Sequence, residues 1–372
     1  MGEPIRILHA VVNMNRGGAE TLIMNLYRNI DRNKIQFDFL VSNNGVFDDE
    51  IISLGGNIYK TPYITDVGPL RYNKNILNFL KAHSEYKIIH CHMDKVSGSV
   101  LKIAKKANIP VRIAHSHSSS KGGSILAKIV KNYYGRFIPY VATERFACSN
   151  SAAKFLYKDL SSITINNGIK VEDYTYSEFK RNDMRRQLNI SDKFVIGHVG
   201  RFTEAKNHLF LLDIFKCINE NNPNSTLLLV GDGYLKNKIQ DKVIELGLSQ
   251  SVKFLGIKDN VNEILQACDV FLFPSLFEGL GIALIEAQAS GLKSITSKDA
   301  VPQETSVTNL VEYVSLKESA EFWAKKVLKY ENGYERRNTY TDIVKAGFDI
   351  KDTADYLQKF YLREVKKYDG KQ

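Results

Sequence analysis

The chain has 372 residues, more than one hydrophobic core usually supports, so two domains are expected; 44% hydrophobic and 25% charged residues exclude a disordered chain. Its apolar runs, such as Thr226 to Val230 and Val270 to Phe273, fall far short of the roughly 20 residues that cross a bilayer, and Cys91, Cys148, Cys217 and Cys268 are too dispersed for a zinc site or a disulfide framework. The net charge of +10 is uneven, with residues 1–180 carrying 24 Lys and Arg against 15 Asp and Glu, and this basic half suits an anionic partner, either nucleic acid or an acidic lipid surface.

Met1 to Ile7 runs almost at once into a strand-like segment, leaving no room for a cleavable export signal, so a cytoplasmic chain is expected. Ile5 to Val12 reads as the first buried strand and Ala19 to Asn29 as the first helix. Gly17-Gly18-Ala19-Glu20 joins them, and a missing Cβ there lets backbone approach a ligand at the helix N-terminus. The same residues also suit a tight turn without a ligand. With neither GxGxxG nor a P-loop present, a nicotinamide cofactor is not expected.

Strands follow at Gln36 to Val41, Ile88 to Cys91, Val111 to Ala114 and Arg145 to Cys148, with helices at Asn75 to His83 and Val96 to Ala107. This alternation predicts a parallel sheet with helices on both faces. His90 and His92 end one strand and His115 and His117 the next, on the rim where open α/β sheets bind ligands. Imidazoles there can exchange a proton or bond a sugar hydroxyl, or simply bond backbone. No acidic ligand pattern accompanies them, so no metal is expected. Ile125, Leu126, Ile129, Val130, Tyr133 and Tyr134 form an apolar stripe beside Lys121, Lys128, Lys131 and Arg136. Such a stripe is more often core, but its cations also suit a helix lying in lipid headgroups.

At Asn166-Asn167-Gly168 the chain turns out of the first domain, and Lys170 to Ser191 reads as a linker with a short helix. The second alternating set has strands at Phe194 to Val199, Thr226 to Val230, Val252 to Leu255, Val270 to Phe273 and Lys293 to Thr296. Its helices are Asn207 to Asn219, Leu235 to Leu246 and Ile282 to Ser290. After its first strand, Gly200 to Asn207 carries Arg201 and Lys206, a fork and a point charge able to neutralise a diphosphate. Phe273 to Ala287 places Glu278 in a Gly-rich loop with Gly279, Leu280 and Gly281, and Glu286 inside the following helix. Free N–H groups at that helix start suit a diphosphate, and the two carboxylates suit the hydroxyls of two different rings. Glu286 sits among Ala283, Leu284, Ile285, Ala287 and Ala289, where a carboxylate needs a partner. No Asp-x-Asp occurs, which weakens a metal-bridged alternative. A last helical pattern, Thr353 to Lys367, follows the completed second sheet and is free to pack elsewhere.

Gly17-Gly18-Ala19-Glu20, the His-bearing strand ends, Gly200-Arg201 with Lys206, Gly231-Asp232-Gly233, Phe254-Leu255-Gly256 and the spacing from Glu278 to Glu286 together resemble the retaining GT-B glycosyltransferases of family 4, of the bacterial capsular and exopolysaccharide type, over nearly the whole chain. The resemblance implies an α/β fold of two Rossmann-like doubly wound domains facing across a cleft. Residues 1–170 would bind the acceptor, residues 171–350 the nucleotide sugar, and the helix in 351–372 would return to the first domain.

It further implies that Arg201 and Lys206 bind the diphosphate, Glu286 the ribose and Glu278 the donor sugar, with Gly279, Leu280 and Gly281 beside it. Gly17 and Gly18 would face the phosphate, Leu255 and Gly256 the base, and His117, or alternatively His115, the reacting carbon; His92 and His115 belong to the acceptor side. Lys170 stands where the family usually has Asp, which implies a structural change at the turn rather than lost activity. In the family the departing diphosphate helps to take the acceptor's proton on one face of the sugar, so no protein nucleophile is implied. Catalysis would come from positioning and charge stabilisation by Arg201, Lys206, Glu278 and His117.

No cofactor or metal is implied beyond a nucleotide diphosphate sugar, expected to be a UDP-sugar, as co-substrate. The expected partners are a glycan or lipid-linked sugar acceptor and an anionic membrane surface, not nucleic acid, because the basic half lacks aromatic-basic motifs of RNA-binding sheets. A GT-B epimerase, needing no acceptor, and a phosphorylase, needing a pyridoxal-binding Lys that the sequence does not reveal, are the alternative enzyme readings.

Overall fold

The structure, a computed structural model, describes residues 3–117 and 125–369. The chain forms two compact units, Met1–Ile169 with Gly347–Gln372, and Lys170–Ala346. In the first, β1 (Ile5–Ala10), β2 (Ile35–Val41), β3 (Ile58–Lys60), β4 (Ile88–Cys91), β5 (Val111–Ser116), β6 (Glu144–Ala147) and β7 (Ile163–Thr164) form a parallel sheet of order β3-β2-β1-β4-β5-β6-β7. The order reverses between β1 and β4, which is where doubly wound sheets open a crevice beyond their C-terminal strand ends.

Both faces of this sheet are covered, which is why its strands read as near-continuous apolar runs. Ile7, Phe37, Phe39, Ile88, Ile113 and Phe146 pack under the helix Gly18–Asn29 and the last helix, Ile350–Asp369, whose Leu357, Phe360, Tyr361 and Val365 are buried there. Alternation sends Leu8, Leu40, Ile89, Cys91 and Ala114 to the other face, against helices Ile64–Ala82 and Ser97–Lys106. The helix expected to begin at Asn75 begins at Ile64. Gly68-Pro69 interrupts its pattern, and Gly68 has a non-helical φ of 73°.

In the second unit, β8 (Phe194–Val199), β9 (Ser225–Val230), β10 (Val252–Gly256), β11 (Val270–Phe273), β12 (Lys293–Ser297) and β13 (Val311–Val314) form a parallel sheet of order β10-β9-β8-β11-β12-β13. Its switch point lies between β8 and β11. Helices His208–Asn221, Lys236–Glu245 and Ala320–Leu328 cover one face, and Val261–Ala267 and Ile282–Ala289 the other. All four cysteines are free, and none of the described helices is long and apolar enough to cross a membrane. Lys170, at the start of the short helix Val171–Tyr174, makes no side-chain cap and pairs instead with Asp173 at 2.8 Å.

Candidate active site

The loops after β8 and β11 flank the switch point of the second sheet and are tied to each other. Leu276 N–H donates to the Ala205 carbonyl at 2.8 Å, and the Asn207 amide donates to the Pro274 carbonyl at 3.1 Å. Gly231, after β9, has φ +135°, and a Cβ there would stand 2.1 Å from the Gly200 carbonyl oxygen. The β8 loop can therefore lie on the β9 loop only because residue 231 has no side chain. Leu255 and Gly256 end β10 beside them, with Gly231 N–H donating to the Gly256 carbonyl at 2.8 Å. Four sequence-predicted segments thus share one sheet edge.

Lys206 Nζ lies 2.6 Å from Glu278 Oε1, with both side chains largely buried, and 4.5 Å from the Phe273 ring centroid. The sequence assigns these two residues to different parts of a ligand, whereas in the ligand-free chain they hold each other. An ammonium has three donors, so Lys206 can keep Glu278 and still face an anion. Arg201 is exposed and its side chain bonds no described residue. Gly281 starts the helix Ile282–Ala289 with φ +81°, and the Thr305 hydroxyl donates to the Leu280 carbonyl at 2.6 Å.

On that helix, Glu286 accepts a 2.9 Å hydrogen bond from the Tyr174 hydroxyl. Enclosure by protein pushes its carboxyl up to about 7, against the opposing pull of the Tyr174 bond and the Lys206 charge. Tyr174 is thus the partner that Glu286 needs. Sequence reading missed it because it is 112 positions away and carries no motif.

In the first unit, Gly17 caps the helix Gly18–Asn29. The space a Gly17 side chain would fill holds the Glu20 carboxylate, 2.2 Å from an ideal Cβ, so the approach to backbone expected at Gly17 is occupied. At Gly18 nothing lies within 4 Å of an ideal Cβ, and packing gives no reason for glycine there.

The four expected histidines converge, and a fifth, His9, joins them from β1, where it pairs in register with His90. His9 Nδ1 lies 3.0 Å from His92 Nε2, and His92 Nδ1 lies 2.7 Å from His117 Nε2. His90 Nε2 lies 3.0 Å from His115 Nδ1, and His90 Nδ1 lies 2.7 Å from the hydroxyl of Tyr361 on the last helix. Ring nitrogens of His9, His90 and His92, and of His92, His115 and His117, also fall within 4.8 Å of one another, which raises a metal reading. Ligand nitrogens about 2.0–2.1 Å from a tetrahedral ion would stand roughly 3.3 Å apart. Contacts of 2.7–3.0 Å are instead those of shared protons. Burial holds all five rings well below the usual histidine range, His9 and His117 down to about 3. One expectation needs correction: His115 is fully enclosed, because strand alternation sends it into the face under the last helix, and it offers no surface to an acceptor.

Beyond β4, Asp94 takes φ +45°, and burial pushes its carboxyl up to about 6 while the His117 backbone N–H bonds it. The apolar stripe proves mixed. Tyr134 is buried, but Ile129, Val130 and Tyr133 are exposed on the helix Ile125–Gly135, with Lys131 and Arg136 exposed beside them. The side chains of Ile125, Leu126 and Lys128, and Lys121 itself, lie outside the described residues.

Residues 180–347 match the family model described as glycosyl transferases group 1. Over 368 residues the chain is 34% identical to EpsF of Bacillus subtilis, which carries a glycosyltransferase name, covering 96% of each. It is 28% identical over 372 residues to the capsular polysaccharide biosynthesis glycosyltransferase CapH of Staphylococcus aureus, covering 97% of this chain and 99% of CapH. The crystal structure of Anabaena Alr3699/HepE in complex with UDP-glucose superposes with a TM-score of 0.78 at 18% identity, covering 96% of this chain and 99% of that one, a likeness of fold. With two doubly wound parallel sheets and relatives matched from end to end, the chain belongs to the GT-B glycosyltransferases of the family 4 type and is a glycosyltransferase of capsular or exopolysaccharide biosynthesis.

Proposed function

We propose that the enzyme is a retaining, metal-independent transferase that moves a hexosyl or N-acetylhexosaminyl group from a UDP-sugar to a lipid-linked glycan. The observation that carries the donor half is the Lys206–Glu278 pair at the switch point of the second sheet, with the Arg201 guanidinium, which pairs with no described residue, on the same loop as Lys206. Arg201 and Lys206 take the diphosphate and stabilise the charge it gains as it leaves. Glu278 accepts from the donor sugar, and Glu286, held by Tyr174, accepts from the ribose; Leu255 and Gly256 lie by the base. HepE, the fold neighbour crystallised with UDP-glucose, supports the choice of nucleotide.

No protein carboxylate is assigned as nucleophile, because Glu278 and Glu286 are already engaged with Lys206 and Tyr174. His117 faces the reacting carbon, and His92, whose two ring nitrogens bond His9 and His117, stands behind it on the acceptor side. The exposed Ile129, Val130 and Tyr133 beside Lys131 and Arg136 support an acceptor presented at an anionic membrane surface. A thermal-shift screen across nucleotide diphosphate sugars tests the donor, since a ligand that binds only the folded state raises stability. UDP-sugars should raise the melting temperature, and NMR of the product should show the donor's anomeric configuration. Inversion at that carbon would refute the retaining reading.

A further inference from the structure

Five neutral imidazoles and one phenol carry six protons, and the geometry leaves few ways to place them. Tyr361 is fully buried, and its hydroxyl has one partner, His90 Nδ1. Either direction of this chain leaves one buried donor at its end, but a phenol is the stronger acid and an imidazole nitrogen the stronger acceptor, so Tyr361 donates and His90 must carry its own proton on Nε2. That proton goes to His115 Nδ1, 3.0 Å away, which leaves the His115 proton on Nε2. No described residue accepts it.

The second chain is His117–His92–His9, and both its ends, His117 Nδ1 and His9 Nε2, are buried without partners among the described residues. With one proton per ring, one end must be an N–H and the other a lone pair. His9 is fully enclosed inside β1, whereas His117 follows the end of β5 and is only partly buried. An orphaned buried N–H costs more than a vacant lone pair, and only the His117 end lies at the rim, where a ligand can satisfy it. The chain therefore favours the proton on His117 Nδ1. The low pKa of all five rings is consistent with this neutral count.

We propose that Tyr361 with His90, and His9 with His92, are positioning residues that fix the tautomers of His115 and His117, so that both chains end in N–H donors and His117 offers a ligand oxygen a neutral hydrogen-bond donor, not a base. The returning helix thereby takes part in the site: its Tyr361 sets a proton on β5 through a ring on β4. The assignment extends the proposed function by stating what His117 can do for a substrate oxygen. It stands on the ring network alone, and it is read without turnover, so its failure is distinct from a failure of the donor reading.

The test is long-range nitrogen NMR on protein labelled at histidine, with peaks assigned by single His→Gln variants. At neutral pH His117 should be protonated on Nδ1, the tautomer a free imidazole side chain disfavours, and His115 on Nε2. In Tyr361→Phe the His115 signals should move toward the Nδ1–H form while those of His117 stay unchanged. If that variant does not fold, the wild-type spectrum still decides. A proton on His117 Nε2, two protons on either ring, an unmoved His115 in a folded Tyr361→Phe, or stoichiometric zinc bound through these nitrogens would overturn the proposal.

Discussion

Glu286 links residue chemistry to a measurable pH dependence. Its carboxyl is pushed up to about 7 from an ordinary 4.5, so between those values it is protonated in the folded chain but ionised in the unfolded one. Its contribution to stability is therefore fully present below about 4.5 and is lost as pH rises through 7. In its proposed role as an acceptor for ribose hydroxyls it works the other way, since only the carboxylate is acceptor-only. The KM for the donor should rise as pH falls from 8 to 6, and Glu286→Gln should flatten that profile. Tyr174→Phe removes the bond that opposes burial, so the inflection should move to higher pH and donor affinity at pH 7 should fall by about tenfold. An unchanged profile in Tyr174→Phe would show that the phenol does not tune this carboxylate.

At the scale of elements, single positions decide whether a loop or helix can lie where it does. Gly231→Ala adds a Cβ 2.1 Å from the Gly200 carbonyl at φ +135°, and should cost about 2–4 kcal/mol in denaturant unfolding. Leu357→Ala leaves a cavity under the last helix and should cost about 2–5 kcal/mol. On the helix Ile125–Gly135, paired Ile129→Asp and Tyr133→Asp substitutions should reduce flotation with anionic liposomes, and the wild-type binding should weaken with salt. Flotation that is absent in the wild type, or indifferent to salt, would remove the membrane from the account.

The same scale shows what was legible in the sequence. Strands such as Val270–Phe273 are buried on both faces and announce themselves as apolar runs. Short β3, β7 and β13 do not, because they have 3, 2 and 4 residues and their side chains, the buried Val314 apart, are half-buried or exposed. Arg201, Lys206, Glu278 and Glu286 were legible because each follows a strand end or sits in a helix too apolar for an unpartnered charge. Their partners were not. The pairing of Lys206 with Glu278 spans 72 positions, and that of His90 with Tyr361 spans 271. His9 looks like a polar interruption in a core strand until register sets it against His90.

For the whole molecule, one logic recurs in both units: a parallel sheet whose order reverses once gathers loop residues at the C-terminal ends of the two strands beside the reversal. In the first unit His9 near the end of β1 and His90 and His92 at the end of β4 stand there, joined by His115 and His117 of the next strand, and in the second unit they are cations and carboxylates. Calorimetric titration of UDP into the wild type, Arg201→Ala and Lys206→Ala tests most directly whether the β8 and β11 loops hold the donor's diphosphate. Binding should weaken by roughly 10- to 100-fold in each variant, about 1.4–2.8 kcal/mol, with melting of the unliganded protein little changed for Arg201→Ala. UDP bound equally well by all three proteins would contradict it.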